Sequence, residues 1–244
     1  FFNPGDYKTL FYLAFIPGVL AVLLIFLVKE KKQPATVSKK GNFFSYFNYW
    51  KIASPAFKKI VPGLLLFALF NSSDIFLLLI TKEKIGAGTI DILGTSFNAD
   101  SITIAAYIVY NLVFAMASYP MGMLADKMGF KKTILLGFIL FAVVYAGFAF
   151  NPSIAVIFIL FSVYGIYAAA TEGVIKAWIS NLAHKENTAT AIGFYTSGES
   201  ICAFFASIIA GGLWNYFGSQ ATFLSSSLVS IAVCFYFFLK IKNK

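Results

Sequence analysis

Two apolar runs, Ile102–Met121 and Thr133–Phe150, are almost free of charge and are joined by only a short basic stretch, Gly122–Lys132. Each run approaches the roughly 20 residues that an α-helix needs to cross the hydrocarbon core of a bilayer. Joined so tightly, the pair must leave a membrane and re-enter it almost at once. The pattern recurs along the chain. Runs at Thr9–Val28, Ile60–Ile80, Ile102–Leu124, Thr133–Phe150, Ile154–Val174, Thr188–Leu213 and Gln220–Leu239 predict about seven spans. Charged residues are 12% of the sequence and mean hydropathy is +0.81, against about 25% charge in soluble domains. Lipid offers backbone groups no outside partner, so such spans are helical. The expected fold is all-α, a polytopic membrane protein.

The 19 basic residues are all lysine. With Lys29–Lys59 placed in the cytoplasm and the spans alternating, all but Lys8, Lys82 and Lys84 fall on the cytoplasmic side. The positive-inside rule then predicts a cytoplasmic C-terminus and a start outside, in a protein integral to the plasma (inner) membrane. Lysines dispersed among spans do not make a nucleic-acid surface, so no nucleic-acid partner is expected. Cys202 and Cys234 sit inside apolar runs and read as small buried residues, without a disulfide. Phe1–Lys8 does not resemble a signal peptide, and the chain reads as part of a longer polypeptide.

The joining stretch reads Gly122-Met-Leu124-Ala125-Asp126-Lys127-Met-Gly129-Phe130-Lys131-Lys132. It resembles the cytoplasmic signature of the major facilitator superfamily, Gly-x-Leu-Ala-Asp-Arg/Lys-x-Gly-Arg-Arg/Lys, departing only at Phe130. That family has two six-helix halves joined by a long cytoplasmic loop, and is itself the standing example of nested three-helix repeats. The resemblance implies residues 1–28 as the last helix of an N-terminal half, 29–59 as the linker, 60–240 as the six-helix C-terminal half and 241–244 as a cytoplasmic tail. The remainder of the N-terminal half, outside this sequence, would be a partner. The stretch Thr171-Glu172-Gly173-Val-Ile-Lys176 resembles the acidic-to-basic pair that many members carry on the fourth helix of a half. The implied role is a cytoplasmic latch favouring the outward-open state, built from Gly122, Asp126, Lys127, Gly129, Lys131, Lys132, Glu172 and Lys176. Glu172 and Lys176 stand at i, i+4, the favourable order for a helix ion pair. Asp126 suits a helix N-terminus near Lys176, Gly122 close helix packing, and Gly129 a tight turn.

Other features read as architecture. The aromatic stretch 42–55, flanked by lysines, predicts an interfacial helix. Thr81–Ser101 reads as a solvated connector. The rows Ala203, Ser207, Gly211 and Gly165, Ala169, Gly173 predict close helix packing. Pro17, Pro62 and Pro120 mark bends or helix ends near the interface. His184 falls in a turn.

Only Asp74, Glu172 and Glu199 among the acidic residues fall within spans. A carboxylate at the centre of a bilayer costs at least about 2.5–3.5 kcal/mol, so such residues face a cavity or a partner. Asp74 lies roughly 20 Å along its span at about 1.5 Å per residue, with Asn71 on the same face at i, i+3. Glu199 shares a face with Tyr195, Thr196 and Cys202. Asn111, with Tyr107 one turn before it, lies at similar depth. These residues are expected to line one wall of a substrate and ion pathway, Asp74 as a proton carrier.

No phosphate-binding loop, no metal-ligand spacing and no Ser/His/Asp set occurs. Neither an enzyme nor a bound cofactor is expected. The reading is a secondary active transporter for a small molecule, coupled to protons and working by alternating access. An uncoupled facilitator and a non-transporting sensor or scaffold are the alternatives.

Overall fold

In a computed structural model, residues 7–26, 48–86, 89–92, 95–150 and 152–241 are described. The chain divides into two units, Phe1–Asn42 and Phe43–Lys244. The first contributes helix α1 (Tyr7–Ile25), which carries Pro17 inside it. Phe11, Phe15, Leu20 and Leu24 are all exposed on α1.

The second unit is helical, as the apolar runs predict. Its elements are α2 (Tyr49–Ile52), α3 (Pro55–Ala68), α4 (Ile75–Ile85), α5 (Ala99–Met128), α6 (Phe130–Ala149), α7 (Ile154–Leu182) and α8 (Thr188–Lys240). Local chemistry sets the ends. Ser54 caps α3, its hydroxyl accepting from Phe57 N at 3.2 Å with Pro55 in the first turn. Asn98 caps α5, its side chain accepting from Ser101 N at 2.8 Å. Gly129 turns the chain from α5 into α6 at φ 89°, a left-handed backbone that favours glycine. Gly218 does the same at φ 84° inside α8, dividing it into arms 188–217 and 219–240.

Short connections make successive helices antiparallel neighbours, and cross-links confirm which ends meet. Ser54 Oγ donates to Leu182 O at 3.0 Å, Tyr236 Oη to Lys59 O at 2.7 Å, and Lys131 Nζ to Ile241 O. These gather one lysine-rich end. At the opposite end Ser219 Oγ donates to Glu83 Oε1 at 2.9 Å, and Lys82 pairs with Asp100 at 2.7 Å. Helix α7 is central, packed against α5, α6 and α8. Ser227 and Ser230 of the 219–240 arm donate to the carbonyls of Ala142 and Phe138, both at 2.8 Å. Such interhelical bonds average about 0.6 kcal/mol in membrane proteins.

Several expectations need correction. The span predicted at Ile60–Ile80 is not one helix. It stops at Ala68 and restarts at Ile75. By contrast, the two spans predicted at Thr188–Leu213 and Gln220–Leu239 correspond to the two arms of α8 on either side of the non-helical Gly218. The connector after α4 carries an antiparallel hairpin, β1 (Thr89–Ile92) and β2 (Thr95–Asn98), with Thr89 opposite Asn98 and Ile92 opposite Thr95. Alternation across only four residues per strand was too short to announce it. Of the stretch 42–55 predicted as an interfacial helix, residues 42–47 lie outside the described residues, and the described part holds the single turn α2. Tyr49 is buried there against Phe57 and Phe194, and Trp50 stacks on Phe194 at 5.9 Å. Tyr49 and Trp50 therefore pack on protein. Of the two readings of the prolines, bends or helix ends, Pro17, Pro62 and Pro120 fit only the first, since they lie inside α1, α3 and α5.

The small-residue rows also divide. Gly165 packs as expected, since a Cβ there would stand 2.7 Å from Tyr110 O and 3.0 Å from Phe114 N. Gly173 and Gly122 have nothing within 4 Å of that position, so neither brings two described helices together. Ala203 is exposed, while Ala206 and Ala210 of the same helix are buried instead. Gly165→Ala should cost about 1–3 kcal/mol, because backbone cannot retreat. Gly147→Ala, which meets only the end of Leu160, should cost less. Thermal unfolding of the two variants in detergent checks the order, and equal losses would contradict it.

Candidate functional site: a groove at a broken helix

The interruption between α3 and α4 reads Leu69-Phe-Asn71-Ser72-Ser73-Asp74. Asn, Ser and Asp side chains compete with the backbone ladder for hydrogen bonds, which weakens a helix where they cluster. Here Asn71 N bonds back to Phe67 O and Ala68 O, and Ile75 N finds Ser73 Oγ at 3.4 Å. Asp74 then opens α4, its carbonyl accepting from Leu77 N and Leu78 N. At about 1.5 Å per residue, α3 rises roughly 21 Å on one side of the break and α4 roughly 16 Å on the other. The break is thus deep inside the span. Non-helical backbone at that depth persists only where protein or a polar cavity covers it.

Tyrosines from α5 and α7 provide the cover. Tyr164 donates to Asp74 Oδ1 at 2.7 Å, and Tyr107 reaches Oδ2 at 3.4 Å. Asn71 Nδ2 donates to Tyr167 Oη at 3.0 Å. The rings of Tyr107, Tyr110, Tyr164 and Tyr167 follow one another with centroids 5.1–5.2 Å apart. Two buried oxygens, Asn71 Oδ1 and Tyr145 Oη, have no hydrogen-bond partner among the described residues.

A groove of about 260 Å³ opens at the break. Asn71, Asp74, Tyr195 and Glu199 line it, as do Glu172 and Lys176. Glu199 accepts from Tyr195 Oη at 2.9 Å, one turn back on its own helix. Glu172 lies about 15 Å from the Leu182 end of α7, and Glu199 about 16 Å from the Thr188 end of α8, at about 1.5 Å per residue. Glu172 is therefore deeper than its expected place beside the cytoplasmic end, because α7 runs on to Leu182. Glu172 and Lys176 form no ion pair within 4.0 Å, contrary to the i, i+4 expectation.

A second depression, about 540 Å³, is lined by Gly122, Asp126, Ser118 and Asn181, and again by Glu172 and Lys176. Gly122 faces this space and does not pack. Asp126 lies in the last turn of α5, exposed, and makes no ion pair with Lys176 within 4.0 Å. Gly129, Lys131 and Lys132 line a different hollow with Ile241, and Lys127 is exposed. The basic signature stretch thus serves two faces.

Two expected pathway residues bond within their own helices. Asn111 is exposed, and its amide donates to Tyr107 O at 2.8 Å. Thr196 bonds the carbonyls of Ile192 and Gly193 on its own helix. Neither lines the groove at the break. Conversely Tyr164 and Tyr167 were missed. The signal was their i, i+3 spacing inside an apolar run, where each buried hydroxyl needs a partner.

The sequence profile described as the Major Facilitator Superfamily matches residues 83–244. Over 226 residues, 93% of its length, the chain is 31% identical to an uncharacterized MFS-type transporter of Methanocaldococcus jannaschii, of which it covers 54%. It is 23% identical over 133 residues, 54% of its length, to an uncharacterized MFS-type transporter of Bacillus subtilis, covering 33% of that protein. Over 147 residues, 55% of its length, it is 29% identical to an uncharacterized transporter of Buchnera aphidicola, covering 35% of it. The chain thus spans between about a third and about half of these relatives.

Hydrogen bonds to charged groups contribute about 1.5–3 kcal/mol. Tyr164→Phe should lose that much stability. In an Asp74→Ala background the same change should cost little, since its partner is gone. A double-mutant cycle on thermal or denaturant unfolding measures this, and strictly additive losses would mean that the two groups do not interact.

Proposed function

The chain belongs to the Major Facilitator Superfamily, and from that premise we propose that the whole protein is a secondary transporter that moves a small molecule across a bilayer by alternating access, driven by protons. The observation that carries this reading is the groove at the broken helix, where Asp74, Glu172 and Glu199 meet at membrane depth. Carboxylates at that depth mark ion and substrate paths. Broken helices at membrane depth are where transporters of several folds bind their cargo. Asn71 Oδ1, which lines the groove without a hydrogen-bond partner among the described residues, is an acceptor that a polar part of the cargo can use.

The lysine-rich end faces the cytoplasm in this reading, by the positive-inside rule, and the membrane is the plasma (inner) membrane. The second wall of the path comes from the N-terminal half, to which residues 1–28 belong. The potential supplies about 2.3 kcal/mol per charge per 100 mV, enough for roughly fifty-fold accumulation per proton.

Asp126, Glu172 and Lys176 form the latch of the cytoplasmic side. Because Glu172 and Lys176 line both hollows, a change of charge in the path reaches the latch through residues common to both. Lys127, Lys131 and Lys132 complete its basic rim.

A single observation favours an uncoupled facilitator instead. Asp74 is held by tyrosine hydroxyls, an arrangement that also suits a carboxylate serving structure alone. Transport assays on the full-length protein separate the two. For a coupled carrier, a protonophore should abolish accumulation, and Asp74→Asn with Glu199→Gln should reduce it at least about tenfold, as loss of a group worth about 1.4 kcal/mol or more. Accumulation that survives both treatments removes proton coupling.

The latch has its own measurement. Cysteines placed across the lysine-rich ends of the two halves should crosslink faster in the parent than after Asp126→Asn. Equal rates would make the contact a fixed cap.

A further inference from the structure

On the lateral face of the second unit, α6 and the 219–240 arm of α8 leave a groove of about 530 Å³ between them. Its floor is made by small residues, Ala142, Ala146 and Ser227, facing one another across the helix pair. Its walls are large and exposed: Ile139 and Val143 on α6, Ile231, Phe235 and Phe238 on α8. The one hydroxyl in it, Ser227 Oγ, is already engaged with Ala142 O at 2.8 Å. The groove therefore offers no free polar side chain apart from the thiol of Cys234, and nothing in it selects a polar ligand.

We propose that this groove holds one acyl chain of an anionic phospholipid from the leaflet at the lysine-rich end, with the phosphate at Lys132 and Lys131. Three observations select that occupant. First, length: Leu135 to Ala146 rises about 17 Å at 1.5 Å per residue, close to half of a hydrocarbon core about 30 Å thick. A transmembrane helix of a partner would need a track through both leaflets, whereas one chain of one leaflet fits this one.

Second, placement: Lys132 is exposed and precedes Leu135 and Ile139 by three and seven residues, so it stands on the groove's own face of α6, at its lysine-rich mouth. Third, charge: the hollow of about 340 Å³ at that end is lined by Lys131, Lys132, Gly129 and Ile241, and among the described residues no carboxylate lines either space. Lys131 spends one donor on Ile241 O. An ammonium has three, so two remain for a phosphate. The site does not depend on what the protein carries or on proton coupling.

The test reconstitutes the full-length protein in phosphatidylcholine vesicles containing a trace of phosphatidylglycerol with a photoactivatable group midway along one chain. After illumination, adducts are mapped by mass spectrometry. Adducts should fall on 135–146 and 227–238 and be displaced by unlabelled phosphatidylglycerol but not by phosphatidylcholine. Each of Lys131→Gln and Lys132→Gln should weaken that preference about fivefold, and Ala146→Phe should block labelling by filling the floor. Lys132 is exposed and makes no bond to another described helix, so Lys132→Gln leaves the fold intact and decides the matter even if the Phe variant fails to fold. Equal labelling by a phosphatidylcholine probe would reduce the groove to ordinary boundary lipid. Crosslinks from this face to a second copy of the chain would make it a protein interface. Either result overturns the assignment.

Discussion

A bilayer cannot hydrogen-bond a peptide group, and that constraint organises this molecule. Wherever the helices are intact, the backbone satisfies itself and the side chains facing outward need only be apolar. At the interruption 69–74 the helical ladder lapses, and side chains from other helices close over it. Helices α5 and α7 bring Tyr107, Tyr164 and Tyr167 to the break, and their hydroxyls engage Asp74 and Asn71. The close approach of α7 to α5 that this requires is permitted by Gly165, whose missing side chain leaves room for the backbone of Tyr110 and Phe114.

The consequence is an uneven distribution of polar groups. Tyrosine hydroxyls account for the carboxylates of Asp74 and Glu199, while Lys176 and Glu172 face open space on the groove's edge. One pair of residues, four apart on α7, thereby belongs both to the hollow at the broken helix and to the hollow beneath Gly122 and Asp126. The proposed coupling between path and latch rests on that shared pair, since rigid helix α7 carries both faces of it.

Packing outside the groove follows a different logic. Between helices in lipid there is little hydrophobic force, so close contact and serine-to-carbonyl bonds hold the bundle. Ser227 and Ser230 lie one turn apart and engage carbonyls one turn apart on α6, which fixes the register of that pair. The same small residues that allow this approach leave the lateral groove above them, and the proposed lipid site is a by-product of that packing.

The sequence by itself determined how often the chain crosses and which end is basic. Length and apolarity decide insertion residue by residue, so α5 and α6 begin and end close to their predicted limits, α7 begins at its predicted start but runs on to Leu182, and Gly129 turns where the signature stretch required it. It also singled out Asp74 and Glu199, because a charge in an apolar run is visible without coordinates. Which neighbours those carboxylates meet was not legible. Asn71-Ser-Ser-Asp74 read as a polar patch on a continuous helix, whereas the bundle breaks the helix there. Asn111 and Thr196 shared the right depth, and their bonds to carbonyls one turn back on their own helices were equally invisible. Depth along an axis follows from counting at a fixed rise. Rotation about it, and the partner found across a gap, are set only when helices pack, because the side chains that answer one another lie on different spans.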